Sequence, residues 1–325
     1  MPASGWGLLP RPLLPRNEAI VCEAMAAMKI LVAGAQGQLA RALVDAARGR
    51  KNLDVIALGR PELDLLDKAA VADVLAAVRP CLIVNAAAYT GVDKAESDAS
   101  MAFAVNRDGA AALAAAANTR ACPIVHISTD YVFDGTKPEP YVESDPVGPA
   151  SVYGRSKLEG EVAVSAANPR HLILRTAWLY APYGQNFLRT IVRLARAGPH
   201  VRVVADQHGN PTYVPHLAHL ILAVAARLGA GRHTGDVWGT YHATARGETT
   251  WAGFATETIR VGAAHGAPCV PVFPIATDEY PTPAKRPANS RLDCAKLART
   301  FGATLPPWQQ GVSECVSRLA QDSLL

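Results

Sequence analysis

The chain has 325 residues, half of them hydrophobic and 18% charged, with a formal net charge of +4. That balance excludes an intrinsically disordered protein, and the lack of any lysine or arginine block excludes a surface that tracks a nucleic-acid backbone. No apolar run reaches the roughly 18 residues of a membrane span, and the six scattered cysteines, with no C-x-x-C pair, fit a reducing cytoplasmic compartment better than a zinc or disulfide framework.

Length predicts about two domains. Residues 1–27 lack the unbroken apolar core of a signal peptide and read as a disordered extension, for which an upstream start codon would account. Met28 opens the first recognisable element. "KILVAG" (Lys29 to Gly34) is an apolar run ending in glycine, and "AQGQLARALVDAA" after it has helical spacing. The alternation continues through "DVIALG" (Asp54 to Gly59), the helical "AAVADVLAAVRP", the run "CLIVNAAA" (Cys81 to Ala88), an alanine-rich helix from about Ser97 to Ala117 and "PIVHIST" (Pro123 to Thr129). Continuous apolar strands separated by helices predict an α/β fold, a Rossmann-type doubly wound parallel sheet covered on both faces.

After a helix containing "VYGRSKLEGE" comes one more strand, "HLILRTAWLY" (His171 to Tyr180). The pattern then becomes irregular, with proline-rich loops at Pro211 to Pro215 and at "YPTPAKRPANS", a helical "YVPHLAHLILAVAARL" and a strand-like "GTYHAT". This interleaving predicts a smaller, discontinuous C-terminal domain. Ser290 with Asp293 reads as the N-terminus of a last helix.

The turn "GAQGQLA" places Gly34, Gly37 and Ala40 between a strand and a helix, where backbone amides can approach a pyrophosphate and the helix N-terminus favours its charge. A tight turn without ligand is the alternative. After the second strand stand Gly59 and Arg60 where an NAD site offers an acid. An arginine suits a 2′-phosphate and so favours NADPH, with NADH left open; a solvated loop arginine is the other reading. Asp64, with Leu65 beside it, is placed at the adenine, Gln38 and Leu39 at the turn, and Ala86, Ala87 and Ala88 along the dinucleotide. His216 and His219 lie three apart on a helix without a third ligand, and no metal role is assigned to them.

Tyr153 and Lys157 are four apart on one helix, so phenol and ammonium share a face. "STDYVFDG" begins at the end of a strand, where ligands of open α/β sheets bind, so Thr129 can converge with them. With the glycine turn, these features resemble the extended short-chain dehydrogenase/reductases that act on nucleotide sugars. "NAAAYTGVDKAE", "STDYVFDG", "VYGRSKLEGE", "RTAWLY", "DQHGNPT" and "RPANSRL" follow the order of the dTDP-4-dehydrorhamnose reductase family, over nearly everything after Met28. Asp130 is followed by Tyr131 rather than by a second acid, which argues for reduction and against dehydration.

The resemblance implies hydride transfer from NADPH to the C4 ketone of dTDP-4-dehydro-6-deoxy-L-mannose. Tyr153 would be the general acid, Lys157 the cation that lowers its pKa and holds the nicotinamide ribose, and Thr129 a second donor to the sugar oxygen. It places Thr90, Val92, Thr129, Asp130, Tyr131, Trp178, Asn186 and Arg286 at the substrate. Trp178 is open to a core reading, and Asn186 and Arg286 to roles as loop anchors. Residues 28–180 would hold NADP, with segments about 213–245 returning to that domain, and residues 181–325 mainly the substrate. The partner is then a dTDP-sugar, with no nucleic acid and no membrane; a homodimer is allowed and a magnesium requirement is left open. Rival readings are a non-catalytic NADP-binding regulatory subunit, similar to the β subunit of methionine adenosyltransferase, and another nucleotide-sugar reductase or epimerase.

Overall fold

The computed structural model describes residues 27–229 and 237–325. The extension expected over residues 1–27 therefore lies, apart from Ala27, outside the described residues. The first part of the chain runs β1 (Met28–Ala33), α1 (Gln38–Ala47), β2 (Leu53–Leu58), α2 (Lys68–Val78), β3 (Leu82–Asn85), α3 (Val92–Ala95), α4 (Ala99–Phe103), a π-helical turn (Ala104–Gly109), α5 (Ala110–Asn118) and β4 (Ile124–Thr129). It continues through α6 (Val152–Ala167), β5 (His171–Thr176), β6 (Leu179–Tyr180), α7 (Phe187–Ala197), β7 (Val201–Val204), β8 (His208–Gly209), β9 (Thr212–Tyr213) and α8 (Val214–Gly229). The described chain ends with β10 (Gly239–His242), β11 (Thr249–Thr250), α9 (Trp251–Ala264), β12 (Val272–Ile275), α10 (Ala295–Phe301) and α11 (Trp308–Gln321).

Six strands form one parallel sheet in the order β10-β5-β4-β3-β1-β2. Its strands alternate between two cores: Ile30, Val32, Leu82 and Val84 pack with α1, α8 and α11, while Leu31, Ala33 and Ile83 pack with α2 and α5. Both faces are covered, as continuous apolar strands require. A third, smaller core joins α7, β7 and α9 through Ile191, Val201, Val203, Ala255 and Ile259. Because the strand order reverses on either side of β1, a crevice opens at the C-terminal ends of β1 and β3, the place where such sheets bind ligands.

Four local expectations need correction. The helix expected from about Ser97 to Ala117 is interrupted by the π turn, where buried Asn106 spends its side chain on the Tyr89 amide (2.8 Å), the Tyr89 carbonyl (3.2 Å) and the Ser156 hydroxyl (2.9 Å). The strand expected from His171 to Tyr180 breaks at Trp178, whose φ of 48° is outside the extended region, and Leu179 and Tyr180 pair instead with β9. Pro215 sits in the first turn of α8, where its missing N–H costs little, rather than in a loop that ends there. Ser290 caps no helix: α10 starts after Cys294, and it is Asp293 that accepts from the Ala295 amide at 2.6 Å.

Candidate active site

The cofactor side follows from the switch point. Gly34 has φ of +99°, and a β-carbon there would lie 2.8 Å from the Ala87 amide nitrogen, so only glycine lets β1 turn this close to the end of β3. Gly37 precedes α1, whose first intrahelical donor is Arg41, so the amides of Gln38, Leu39 and Ala40 point out of the helix end. No acid stands in that first turn to repel a phosphate. Leu39 and Leu65 bury their side chains in the two cores, so only their backbones could meet a ligand. Arg60 is exposed at the end of β2, its carbonyl accepting from Gln36 Nε2 at 3.2 Å. Asp64 Oδ1 accepts from the Leu66 amide at 3.0 Å, and Ala86, Ala87 and Ala88 line the crevice after β3 as half-buried residues. These residues fit a dinucleotide with a 2′-phosphate: free amides at a helix end, close backbone approach, and a cation where an acid would repel.

Thr129 ends β4 and Tyr153 lies in the first turn of α6, whose N-cap Ser151 accepts from the Gly154 amide at 3.1 Å. A β-carbon on Gly154 would collide with the Tyr131 carbonyl, so this glycine lets the helix start against the strand end. The Thr129 hydroxyl donates to Asp130 Oδ1 at 2.9 Å and lies near enough to the Tyr153 phenol to act on its titration. Burial pushes the phenol up to about 12; Thr129 opposes this and the Asp130 charge adds to it. Lys157, 2% exposed, donates from Nζ to the Ile127 carbonyl at 2.6 Å and lies 3.4 Å from His126 Nε2. Burial brings its ammonium down to about 8, against the pull of Glu161.

Lys157 Nζ faces β4, and the phenol's pKa is raised by loss of water. A neutral phenol is nonetheless the form a proton donor needs.

On the substrate side, Thr90 is exposed, Val92 opens α3, and Tyr131 meets Tyr153 edge-on with ring centroids 5.9 Å apart. Burial lifts Asp130 to about 6, opposed by the Ser290 and Thr129 hydroxyls. Trp178 is stacked on Trp251, 3.5 Å between centroids, so one indole face is already occupied. Asn186 is an anchor: it caps α7 by accepting from the Arg189 amide at 3.1 Å, and its Nδ2 donates to Gln38 Oε1 at 2.9 Å and the Ala181 carbonyl at 2.8 Å. Arg286 is held by Asp93 in a two-pronged ion pair. His216 pairs with Glu314 at 2.8 Å, and among the described residues no group of three or more His, Cys, Asp or Glu is placed to hold a metal.

A family model for the RmlD substrate binding domain matches residues 28–321. The chain is 48% identical over 289 residues to a dTDP-4-dehydrorhamnose reductase of Sinorhizobium fredii, covering 89% of this chain and 97% of that protein. The chain belongs to the dTDP-4-dehydrorhamnose reductase family. Among solved structures, a dTDP-4-dehydrorhamnose reductase of Clostridium acetobutylicum superposes with a TM-score of 0.83 at 40% identity, over 90% of this chain and 99% of that one. A Bacillus anthracis dTDP-4-dehydrorhamnose reductase in complex with NADP gives 0.82 at 32% identity, over the same shares. Family members are NAD(P)H-dependent oxidoreductases, so the chain is an enzyme of that class, and among its described residues no helix is long and apolar enough to cross a membrane.

In this member of the reductase family, sequence reading missed a layer of polar residues beneath the triad. His126, Glu161 and Arg175 are buried; Arg175 Nη2 reaches Glu161 Oε2 at 2.7 Å, and Ser128 donates to Glu161 Oε1 at 2.5 Å. One signal was available. A histidine inside the apolar run "PIVHIST", and a glutamate and an arginine on elements that should be buried, are polar residues that need partners.

Proposed function

We propose that the chain reduces the C4 ketone of dTDP-4-dehydro-6-deoxy-L-mannose (dTDP-6-deoxy-L-lyxo-4-hexulose) to dTDP-L-rhamnose in the cytoplasm, with residues 28–180 holding NADPH and residues 181–325 mainly holding the sugar nucleotide. The observation that carries this reading is that Thr129, at the end of β4, and Tyr153, in the first turn of α6 with its proton held by burial, meet at the sheet edge of a chain belonging to this family. When bound, NADPH supplies the hydride. Tyr153 gives its proton to the C4 oxygen as negative charge grows there, and Thr129, turning its one hydroxyl proton from Asp130, donates a second hydrogen bond to that oxygen. Lys157, one helical turn on, supplies the positive charge that stabilises the phenolate left behind. Arg60 favours NADPH over NADH, because a guanidinium can fork onto a 2′-phosphate.

The test is the loss of NADPH absorbance with this sugar nucleotide. The parent chain turns over, and Tyr153→Phe slows kcat by at least ~100-fold, the low end of general-acid catalysis, while still binding NADPH. A parent that binds NADPH and leaves the ketone untouched sinks the reading.

A further inference from the structure

Beneath the triad lies a contact whose chemistry can be worked out from the hydrogen bonds alone. Asn85 ends β3 and pairs in register with His126 on β4. Its Oδ1 accepts from the Ala87 amide at 3.2 Å, which fixes the orientation of the side-chain amide. Nδ2 therefore faces His126 Nδ1, at 3.1 Å, as a donor, so Nδ1 must accept and cannot carry the proton. The His126 ring is fully buried, and burial, with Lys157 adding, holds its pKa well below the usual histidine range, so it is neutral. A neutral ring with a bare Nδ1 carries its one proton on Nε2. Nε2 points at Lys157 Nζ, 3.4 Å away.

An Nε2–H and an ammonium are both donors and cannot bond. The contact is favourable only when Lys157 is an amine, accepting from His126 through its lone pair while it donates to the Ile127 carbonyl. We propose that His126 is a positioning residue for Lys157: through an Nε2–H tautomer set by Asn85, it holds the amine form against β4 and disfavours the ammonium form there. The other titratable or charged groups around the pair are Tyr153 and Glu161 on α6, Arg175 on β5 bound to Glu161, and Asp130 after β4, whose charge acts on Tyr153. Of these, Glu161 favours the ammonium, so His126 opposes it from the strand side.

The kinetic consequence rests on the reductase reading; the contact itself does not. The first readout is heteronuclear NMR of the full chain with labelled histidine, His126 being assigned by the signals lost in His126→Gln. The expected result is a protonated Nε2 and a bare Nδ1 from about pH 6 to about pH 9. A ring protonated on Nδ1 overturns the proposal. The second readout is the Lys157 side-chain titration by NMR, assigned against Lys157→Arg. His126→Phe is expected to raise the Lys157 pKa by about one unit or more, and His126→Gln, whose amide can donate in place of Nε2–H, to keep most of the depression. Equal Lys157 pKa values in all three chains overturn it. If His126→Phe does not fold, as judged by NADPH binding, the tautomer in the parent decides. In the reductase assay, the pH dependence of kcat should move with the Lys157 pKa in His126→Phe and stay in His126→Gln. A parent inactive on the dTDP-sugar counts against the proposed function, and both NMR readouts still decide the role of His126.

Discussion

Arg286 forks onto Asp93, Nη1 to Oδ1 and Nη2 to Oδ2, each at 2.8 Å. The pair ties the loop before α10 to α3. The guanidinium holds Asp93 below the usual carboxylate range. It also bonds Thr282 Oγ1 and the Ala284 carbonyl, so its orientation is fixed.

A diphosphate contact from so fixed a fork should be worth a charge-assisted hydrogen bond or more. Arg286→Ala is expected to raise KM for the sugar nucleotide by ~10–100-fold with little change in NADPH affinity. The ion pair is partly exposed, so loss of stability should stay within about 1 kcal/mol. Steady-state kinetics with each substrate varied, alongside urea unfolding, separates a binding role from a structural one. A KM that does not move would leave Arg286 as a loop anchor only.

Arg60 makes a prediction about cofactor choice. Arg60→Ala should raise KM for NADPH by ~10-fold or more and leave KM for NADH nearly unchanged, because only the first carries a 2′-phosphate. Equal losses with both cofactors would count against the assignment.

Asp130 carries a pH dependence with a defined sign. Its folded pKa, about 6, lies above the unfolded value near ~4 because burial disfavours the carboxylate. The folded state thus holds the proton more tightly, so this group's contribution to stability is fully present below about pH 4 and is lost as pH rises through about 6. At pH 7 the buried charge costs roughly 2–3 kcal/mol. Asp130→Asn should therefore raise Tm at pH 7, with the gain shrinking toward about pH 4, while lowering turnover. A gain that is the same at both pH values would show that the carboxylate charge is not its source.

Glu161 is the partner that makes a buried Arg175 tolerable. Glu161→Ala should cost about 3–5 kcal/mol in urea unfolding, the typical result of leaving a buried charge alone. Adding Arg175→Met should recover much of that loss. If the double variant is as unstable as the single one, the network matters through packing rather than charge.

Much of the fold was legible because backbone requirements leave local marks. Two-sided apolar strands announced a covered parallel sheet, a glycine turn between strand and helix announced a crevice at β1, and a tyrosine and lysine four apart had to share a helical face. The errors arose where one side chain overrode a pattern. Asn106 interrupts an alanine-rich segment that reads as uniform helix, and Trp178 breaks an apolar run that reads as one strand.

The sequence by itself determined the doubly wound sheet, the turn at Gly34 and the placing of Tyr153 and Lys157 one turn apart on a single helix, since periodicity and turn chemistry act over a few residues. Tertiary structure alone decided what each polar side chain binds. It set Asp93 on Arg286, 193 residues away, Asn186 on Gln38, and Lys157 on Ile127 and His126 rather than on the phenol. The reason is physical: a buried polar group must find a partner, and which one it meets depends on how strands and helices register in space, which no local spacing encodes.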